Sequence, residues 1–463
     1  GPFGGGGAVT TNGSRPDAHA AISAIGPLDA ATVAEVARRV QARLDERIGT
    51  AAAANQSLDQ ASQQALFGEE LELVLAAWAE ECMVAHRAPP TLDQELVLKE
   101  TVHQRVFGYG GLENVFAIPG WIDAYVNGPE VTWLKFPDGR VEAGPPVGGT
   151  VGQLRELIRR LGARGGELGP RPFDLLHPML DLVIPDGSRL HAIDYLGDVP
   201  FLTVRRHTLL EVRWDDAVGL GLVTPEVHDF LGAAVRARLP ILIAGPTGVG
   251  KTTLLRAMAD LFDPEERVVT IESDRELRLP KARHWNCAAL QARPPSLEGR
   301  GAVGLVDLVH EALRMGPDRI LVGELRGPET PAWLWALHTG HRGSISTIHA
   351  DSPRGAFDAI ALHGVLCPER LEPAQSLRLA AGALSLVVFM ARDHRGEVGY
   401  VSSIHHVAGY SDDRVVTNEV FRTGTGGRAV RAMMVPSGLR GPLAAAGYDD
   451  QAADVVAEAG WLS

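Results

Sequence analysis

The stretch that most constrains this chain is Leu242-Ile-Ala-Gly-Pro-Thr-Gly-Val-Gly-Lys-Thr-Thr253. An apolar run over 241–244 feeds the pattern G-x-x-x-x-G-K-T, and a helix-forming segment over 254–261 follows. Strand, loop and helix in that order form the context of a phosphate-binding P-loop. Gly245, Gly248 and Gly250 let the backbone fold into a concave nest whose N–H groups converge on an anion. Pro246, Thr247 and Val249 complete the loop, and the positive end of the following helix adds to the attraction. Lys251 has the reach for the β- and γ-phosphates of ATP. The Thr252 hydroxyl is the Mg²⁺ ligand candidate, with Thr253 beside it. The pattern predicts a nucleotide-binding α/β motor domain.

At 463 residues the chain exceeds one hydrophobic core, so two or three domains are expected. A formal net charge of −13 disfavours a dedicated nucleic-acid or anionic-membrane binder, and no direct nucleic-acid contact is expected. Three cysteines, none in C-x-x-C, support neither a disulfide framework nor a cysteine zinc site, which fits a reducing cytosol. No apolar run is long enough to span a bilayer and no signal peptide is visible, so a cytoplasmic location with membrane contact through partners is expected.

Along the chain, 1–27 is rich in small and polar residues and reads as a tag-like or disordered segment. Helical periodicity then runs over 28–110. Val33, Val36, Val40, Leu44 and Ile48 mark a first helix. Leu66, Leu71, Leu73, Val74, Leu75 and Trp78 are core or partner-facing residues of a second over 59–86, and a third covers 91–106. Short strands at 122–127, 131–136, 180–193 and 201–205, with Asn127-Gly128 and Asp138-Gly139 turns and a helix at 151–161, predict a small α/β (PAS-like) domain over 111–207. A hinge at 208–221, the motor at 222–395 and a tail at 396–463 complete the division. The tail carries strands near 398–407 and 415–421 and a weak helix at 452–459.

Three further stretches supply acids and histidines. The strand at 267–271 ends in Glu272-Ser-Asp-Arg-Glu276, where ligands bind in an open α/β sheet; a solvated charge cluster is the alternative, above all for Glu276. An amphipathic helix over 305–315 precedes Arg319-Ile-Leu-Val-Gly323, and Glu324 at that strand's tip forms a Walker B pattern. There it can orient the attacking water or take its proton. Finally, Thr339-Gly-His-Arg-Gly-Ser-Ile-Ser-Thr-Ile-His-Ala350 holds His341 and His349. Each has a structural alternative, and His349 at a strand end is the better placed to sense a γ-phosphate.

Taken together these boxes, with Leu313-Arg-Met-Gly-Pro-Asp-Arg319, Gly323-Glu-Leu-Arg-Gly327 and Leu182-Val-Ile-Pro-Asp-Gly-Ser-Arg189, resemble the type II/type IV secretion ATPases. Within them the chain most resembles the CpaF/TadA branch, which drives tight-adherence (Flp-type) pilus assembly. The resemblance runs from about residue 60 to the end. It implies a homohexameric ring of two-domain protomers with a RecA-like P-loop motor domain, working on an inner-membrane platform protein, with ATP between the N-terminal α/β domain and the motor. By position it implies Lys251 and Thr252 as the Walker A pair and Glu324 as the Walker B carboxylate. Glu272 takes the place of the Asp-box acid, and His341 and His349 those of the His box. Arg189 and Arg205 match the N-terminal-domain arginines that reach the phosphates on closure. Two departures stand out: Ser273 replaces the usual second Asp-box acid, and Asp358-Ala-Ile-Ala361 replaces an Arg-Leu-Glu run. The alternatives are a type IV secretion or conjugation ATPase moving protein or DNA, a nucleotide-gated scaffold with little turnover, and a RecA-like nucleic-acid motor, which the charge disfavours.

Overall fold

The computed structural model describes residues 30–53, 60–86, 91–165, 171–184, 186–206, 212–293, 295, 300–392 and 399–450. The chain begins with three helices, α1 (Ala30–Ala53), α2 (Gln60–Val84) and α3 (Leu92–Phe107). The apolar stripe expected on α1 is buried: Val33, Val36, Val40 and Leu44 pack against Phe67, Leu71, Val74 and Leu75 of α2 and Leu98, Val102 and Val106 of α3. Leu73 is an exception and faces solvent. The buried Glu70 carboxylate accepts from Arg43 at 2.6 Å and Arg47 at 3.0 Å, so an acid inside this bundle is charge-paired.

A short helix α4 (Leu112–Phe116) leads into six antiparallel strands: β1 (Asp123–Asn127), β2 (Thr132–Lys135), β3 (Val141–Gly144), β4 (Met179–Val183), β5 (Arg189–Ile193) and β6 (Phe201–Arg205). Their order is β3-β2-β1-β6-β5-β4. The expected turns hold, with φ +84° at both Gly128 and Gly139. Helix α5 (Val151–Arg164) lays Leu154, Leu157, Ile158 and Leu161 on one face of the sheet. Across the strands, Arg189 pairs with Arg205 and Arg205 with Asp123. Directly opposed residues share a face, so these three stand in one row at one end of the sheet's other face.

The larger sheet has the order β15-β14-β13-β12-β7-β11-β10-β8-β9. Its strands are β7 (Ile241–Gly245), β8 (Val268–Glu272), β9 (Cys287–Gln291), β10 (Arg319–Leu325), β11 (Ile345–His349), β12 (Leu386–Arg392), β13 (Gly399–Ser411), β14 (Arg414–Thr423) and β15 (Ala429–Arg431). The run from β12 to β9 is parallel, and β13 to β15 add antiparallel strands at one edge. Parallel strands need cover on both faces, and the continuous apolar runs of β7, β8 and β10 answer that need. On one face lie α6 (Pro225–Arg236), α7 (Lys251–Ala259) and α12 (Ser437–Ala445). On the other lie α8 (Leu305–Ala312), α9 (Glu329–His338), α10 (Pro353–Leu366) and α11 (Pro373–Ala383). This is the RecA-like α/β architecture expected. Two details differ from the sequence reading: α7 already begins at Lys251, and the 305–315 helix tightens into a 3₁₀ turn after Ala312, stopped by Gly316 at φ +63°. The helix expected at 452–459 lies outside the described residues. Among those described, no helix is long and apolar enough to cross a membrane.

Candidate active site

Gly245, Glu272, Glu324 and His349 sit at the C-terminal ends of β7, β8, β10 and β11, which are neighbours in the sheet. The topology therefore gathers four separately read motifs along one edge. Gly245, Gly248 and Gly250 adopt φ of +156°, +72° and +97°, so the loop's path depends on residues without a Cβ. A Cβ on Gly245 would also stand 2.6 Å from the Met390 carbonyl of β12. This tight cradle at the head of α7 is of the kind that receives phosphate oxygens. The loop, Lys251 and the Thr252 hydroxyl together fit a nucleoside triphosphate with its Mg²⁺.

Lys251 is buried, and its ammonium donates to the carbonyls of Gly245 at 2.8 Å and Pro246 at 2.9 Å and to Nδ1 of His349 at 3.0 Å. Burial lowers its pKa to about 8. The third bond fixes the histidine's tautomer. An ammonium only donates, so Nδ1 accepts, and the ring's hydrogen lies on Nε2, which meets Oε1 of Glu324. Burial, and then the charge of Lys251, hold His349 below the ordinary histidine range and keep it neutral. The Thr247 hydroxyl lies 3.3 Å from the same Nδ1. A continuous hydrogen-bonded line thus runs from Lys251 through His349 to Glu324. Oε2 of Glu324 is taken by the Arg326 guanidinium, so both carboxylate oxygens are held.

Glu272 is held by the turn that follows it. It is 4% exposed, and its Oε1 accepts from the backbone N–H of Glu276 at 2.9 Å and Leu277 at 2.8 Å. Burial raises its pKa to about 7 despite those two donors. It also explains Gly323, where a Cβ would approach Glu272 Cγ to 3.0 Å. The acid of this segment that meets the P-loop helix is Glu276, whose Oε2 accepts from the Thr252 hydroxyl at 3.4 Å.

Of the two arginines on the smaller sheet, Arg189 is ion-paired to acids of this edge, 2.6 Å from Glu276 Oε1 and 3.2 Å from Asp274 Oδ2. Arg205, its cross-strand neighbour, is close enough to feel the charge of Glu276 but bonds within its own sheet, where Nε donates to Asp123 at 2.6 Å. His341 stands at the opposite end of the larger sheet. Its Nδ1 lies 2.9 Å from the carbonyl of Pro317, which precedes β10. β11 separates it from His349, and at about 3.3 Å per residue a five-residue strand puts more than 13 Å between them. Arg319 is likewise structural. It is 2% exposed, bonded to Glu266 and to the carbonyls of Gly343 at 2.9 Å and Val235 at 3.1 Å, with its guanidinium 4.2 Å from the centre of the Phe262 ring.

Three features at this edge were not singled out as site residues. Arg326 pairs with Glu324, and Arg392 at the end of β12 donates to the Gly248 carbonyl. Gly399 opens β13 directly against the P-loop, and a Cβ there would lie 1.7 Å from the Val249 carbonyl oxygen. Arg326 sits inside the Gly-Glu-Leu-Arg-Gly box and was readable on that ground. The other two had no local signal, because strand pairing alone brings them to the loop.

The family profile described as "Type II/IV secretion system protein" matches residues 198–367. A putative conjugal transfer protein of Mycobacterium tuberculosis H37Rv is 32% identical over 344 residues, which is 68% of this chain and 94% of that protein. The chain belongs to the type II/IV secretion ATPase superfamily. The type IV secretion system protein PtlH of Bordetella pertussis is 44% identical over 167 residues, 35% of this chain and 48% of that protein. Among solved structures, the VirB11 ATPase of Brucella suis in complex with sulphate is 25% identical, covering 64% of this chain and 96% of that one at a TM-score of 0.35. The span matched by the secretion profile holds the P-loop, Glu272, Glu276, Glu324, His341 and His349, and Arg189 lies outside it.

Proposed function

We propose that this secretion-superfamily chain is a Mg²⁺-dependent ATPase working in the cytoplasm as the hexameric motor of a tight-adherence or related type IV pilus machine. The observation that carries the ATPase reading is the line Lys251–His349–Glu324, which ties the residue suited to phosphate to the acid suited to water. In that reading the P-loop N–H groups and Lys251 hold the β- and γ-phosphates. Thr252 holds Mg²⁺, which would neutralise charge on the phosphate oxygens when bound. Glu324 orients the attacking water and receives its proton, and His349 and Arg326 hold its two oxygens until water replaces one of them. Lys251 exchanges its bond to neutral His349 for one to phosphate, so triphosphate and Glu324 are felt through one imidazole. Arg189 is the arginine poised at the seam between the sheets. Arg205 would have to leave Asp123 to join it.

Steady-state hydrolysis of ATP by the full chain beside Glu324→Gln tests this. The expected result is turnover that falls by about 10²-fold or more in the variant, the size of general-base loss. Unchanged turnover in Glu324→Gln refutes the assignment, and ATP binding without turnover in either protein points to the gated scaffold.

A second reading, a type IV secretion or conjugation motor, draws support from the Mycobacterium and Bordetella relatives, a putative conjugal transfer protein and a type IV secretion system protein. Deleting the gene separates the two. Loss of surface filaments supports the pilus motor and its platform protein, and loss of protein or DNA transfer with filaments intact supports the other.

A further inference from the structure

The N-terminal bundle leaves one of its grooves open. Helices α2 and α3 run antiparallel, with their register set by Lys99 Nζ at 2.6 Å from Glu72 Oε1 and by the Phe67 and His103 rings, whose centres lie 5.4 Å apart. From Glu72, the i+4, i+7 and i+11 positions on α2 are Ala76, Ala79 and Met83, so these share the face turned to α3. On α3, Leu92 and Leu96 share a face with Lys99 in the same way. Two alanines thus floor a groove walled by three long apolar side chains. Met83 is 57% exposed, Leu92 73% and Leu96 57%, so no described residue covers them. The bundle's core lies on other faces of both helices.

The groove is flanked by negative charge. Helix α2 holds five acids and neither Lys nor Arg, and α3 holds three acids against Lys99 and Arg105. Three of the α2 acids turn to the arginines of α1: Glu69 to Arg47 at 3.8 Å, Glu70 to Arg43 at 2.6 Å and Glu81 to Arg39 at 2.8 Å. Lys99 is shared between Glu72 at 2.6 Å and Glu95 at 2.9 Å. Exposed Glu80 on the α2 rim and exposed Asp93 on the α3 rim add to the negative side of that balance.

We infer that the α2–α3 groove docks a basic amphipathic helix of a partner protein, its apolar stripe on Met83, Leu92 and Leu96 and its Lys or Arg side chains on the acids of both rims. Helix-in-groove recognition works in this way, with anchors spaced at i, i+3 or i+4 and i+7. The inference does not depend on the nucleotide reading. Charge selects this occupant over the others. A second copy would bring a rim of like sign, and nucleic acid or an anionic lipid surface is repelled for the same reason. The chain's own residues 1–29 hold one arginine against two aspartates and offer no complement. Cytoplasmic segments beside membrane spans carry an excess of Lys and Arg, so such a helix of a membrane protein has the required chemistry.

The test is fluorescence anisotropy of a labelled peptide titrated with the full chain. The probe is a Leu/Lys peptide of about 18 residues patterned as an amphipathic helix. The expected Kd is on the order of 1–10 μM at about 50 mM salt, weakening at least about ten-fold by about 500 mM. Leu92→Gln with Leu96→Gln changes exposed positions without changing net charge, and should weaken binding at least about ten-fold while keeping the parental urea midpoint. Glu80→Lys with Asp93→Lys should weaken it as much. Glu311→Lys with Asp198→Lys makes the same charge change at exposed positions elsewhere, and should stay within about two-fold of the parent. Equal weakening by the two charge-reversed pairs, or an unchanged Kd in the leucine pair, would show that the peptide binds the acidic chain at large and overturns the inference. So does a Kd above about 1 mM in the parent. A leucine pair that lowers the oligomeric state in light scattering gives the groove to a second copy, and binding that appears only when 1–29 is removed gives it to the chain's own start. Either result overturns the inference.

Discussion

Replacing Gly399 by alanine should disable the nucleotide loop from behind. Gly399 has no positive φ, so glycine is there for space rather than for backbone conformation. A Cβ would lie 1.7 Å from the Val249 carbonyl oxygen, 2.7 Å from its carbon and 2.9 Å from Cγ2. At an ordinary separation of about 3.5 Å, β13 and the P-loop would have to part by roughly 2 Å. Overpacking of this kind costs about 1–3 kcal/mol of stability. The larger effect is on function, because a displacement of about 1 Å at reacting groups costs on the order of 10²-fold in rate. The assay is urea unfolding together with ATP turnover, beside Gly438→Ala as control. Gly438 has nothing within 4 Å of its would-be Cβ and lies in the first turn of α12. The control should be neutral or gain up to about 1 kcal/mol. Gly399→Ala should lose about 1–3 kcal/mol and at least about 10²-fold in kcat/KM. Turnover within two-fold of the parent, with the control's stability, would refute the argument that this strand braces the loop.

Glu272, with a pKa of about 7 in the fold against an ordinary 4.5, binds a proton more tightly folded than unfolded. Its contribution is therefore full below about pH 4.5 and is lost as pH rises through about 7, by at most about 3 kcal/mol. Glu272→Gln should accordingly gain on the parent between pH 5 and pH 8 in urea unfolding, and a constant difference would count against it. Arg319→Ala strands the buried Glu266 carboxylate and should cost about 3–5 kcal/mol; loss of under 1 kcal/mol would show that Arg238 alone neutralises it. His341→Ala should lower thermal stability and leave kcat close to the parent's, whereas His349→Ala should lower kcat with stability kept. The reverse pattern would move the functional histidine to the other end of the sheet.

The parts of this molecule readable from its residues are those whose signals are local. The P-loop, the strand tips at Glu324 and His349, and the helices α1 to α3 are periodic or motif-bound, and they fold where the pattern puts them. The short edge strands β3 and β9 escaped because Val141-Glu-Ala-Gly144 and Cys287-Ala-Ala-Leu-Gln291 show no clean alternation; pairing with a neighbour decides them. Helices α10 and α11 did carry readable starts, Pro353 after Ser352 and Pro373 after Glu372. What sequence could not rank was chemistry that depends on register across chain-distant elements. Arg189 and Arg205 look alike as strand residues, yet Asp123 on the neighbouring strand claims one of them. Glu272 and Glu276 differ by one turn, and burial sends one into the sheet edge and the other to the seam.

The long hairpin beginning at Gly399 gives that contact a mechanical meaning. β13 runs thirteen residues, and at about 3.4 Å each it stretches roughly 40 Å from the back of the phosphate loop to its tip at Ser411. Bulges near Ile404 and Val407 interrupt its pairing with β14, so the rod has two give points rather than uniform stiffness. Pairing with β12 from Gly399 to His406 holds the base of this hairpin in the sheet, and the stretch from Val407 to Ser411 runs on with β14 beyond that partner. The antiparallel edge of the sheet is therefore built directly onto the P-loop, and the point where the two meet is Gly399.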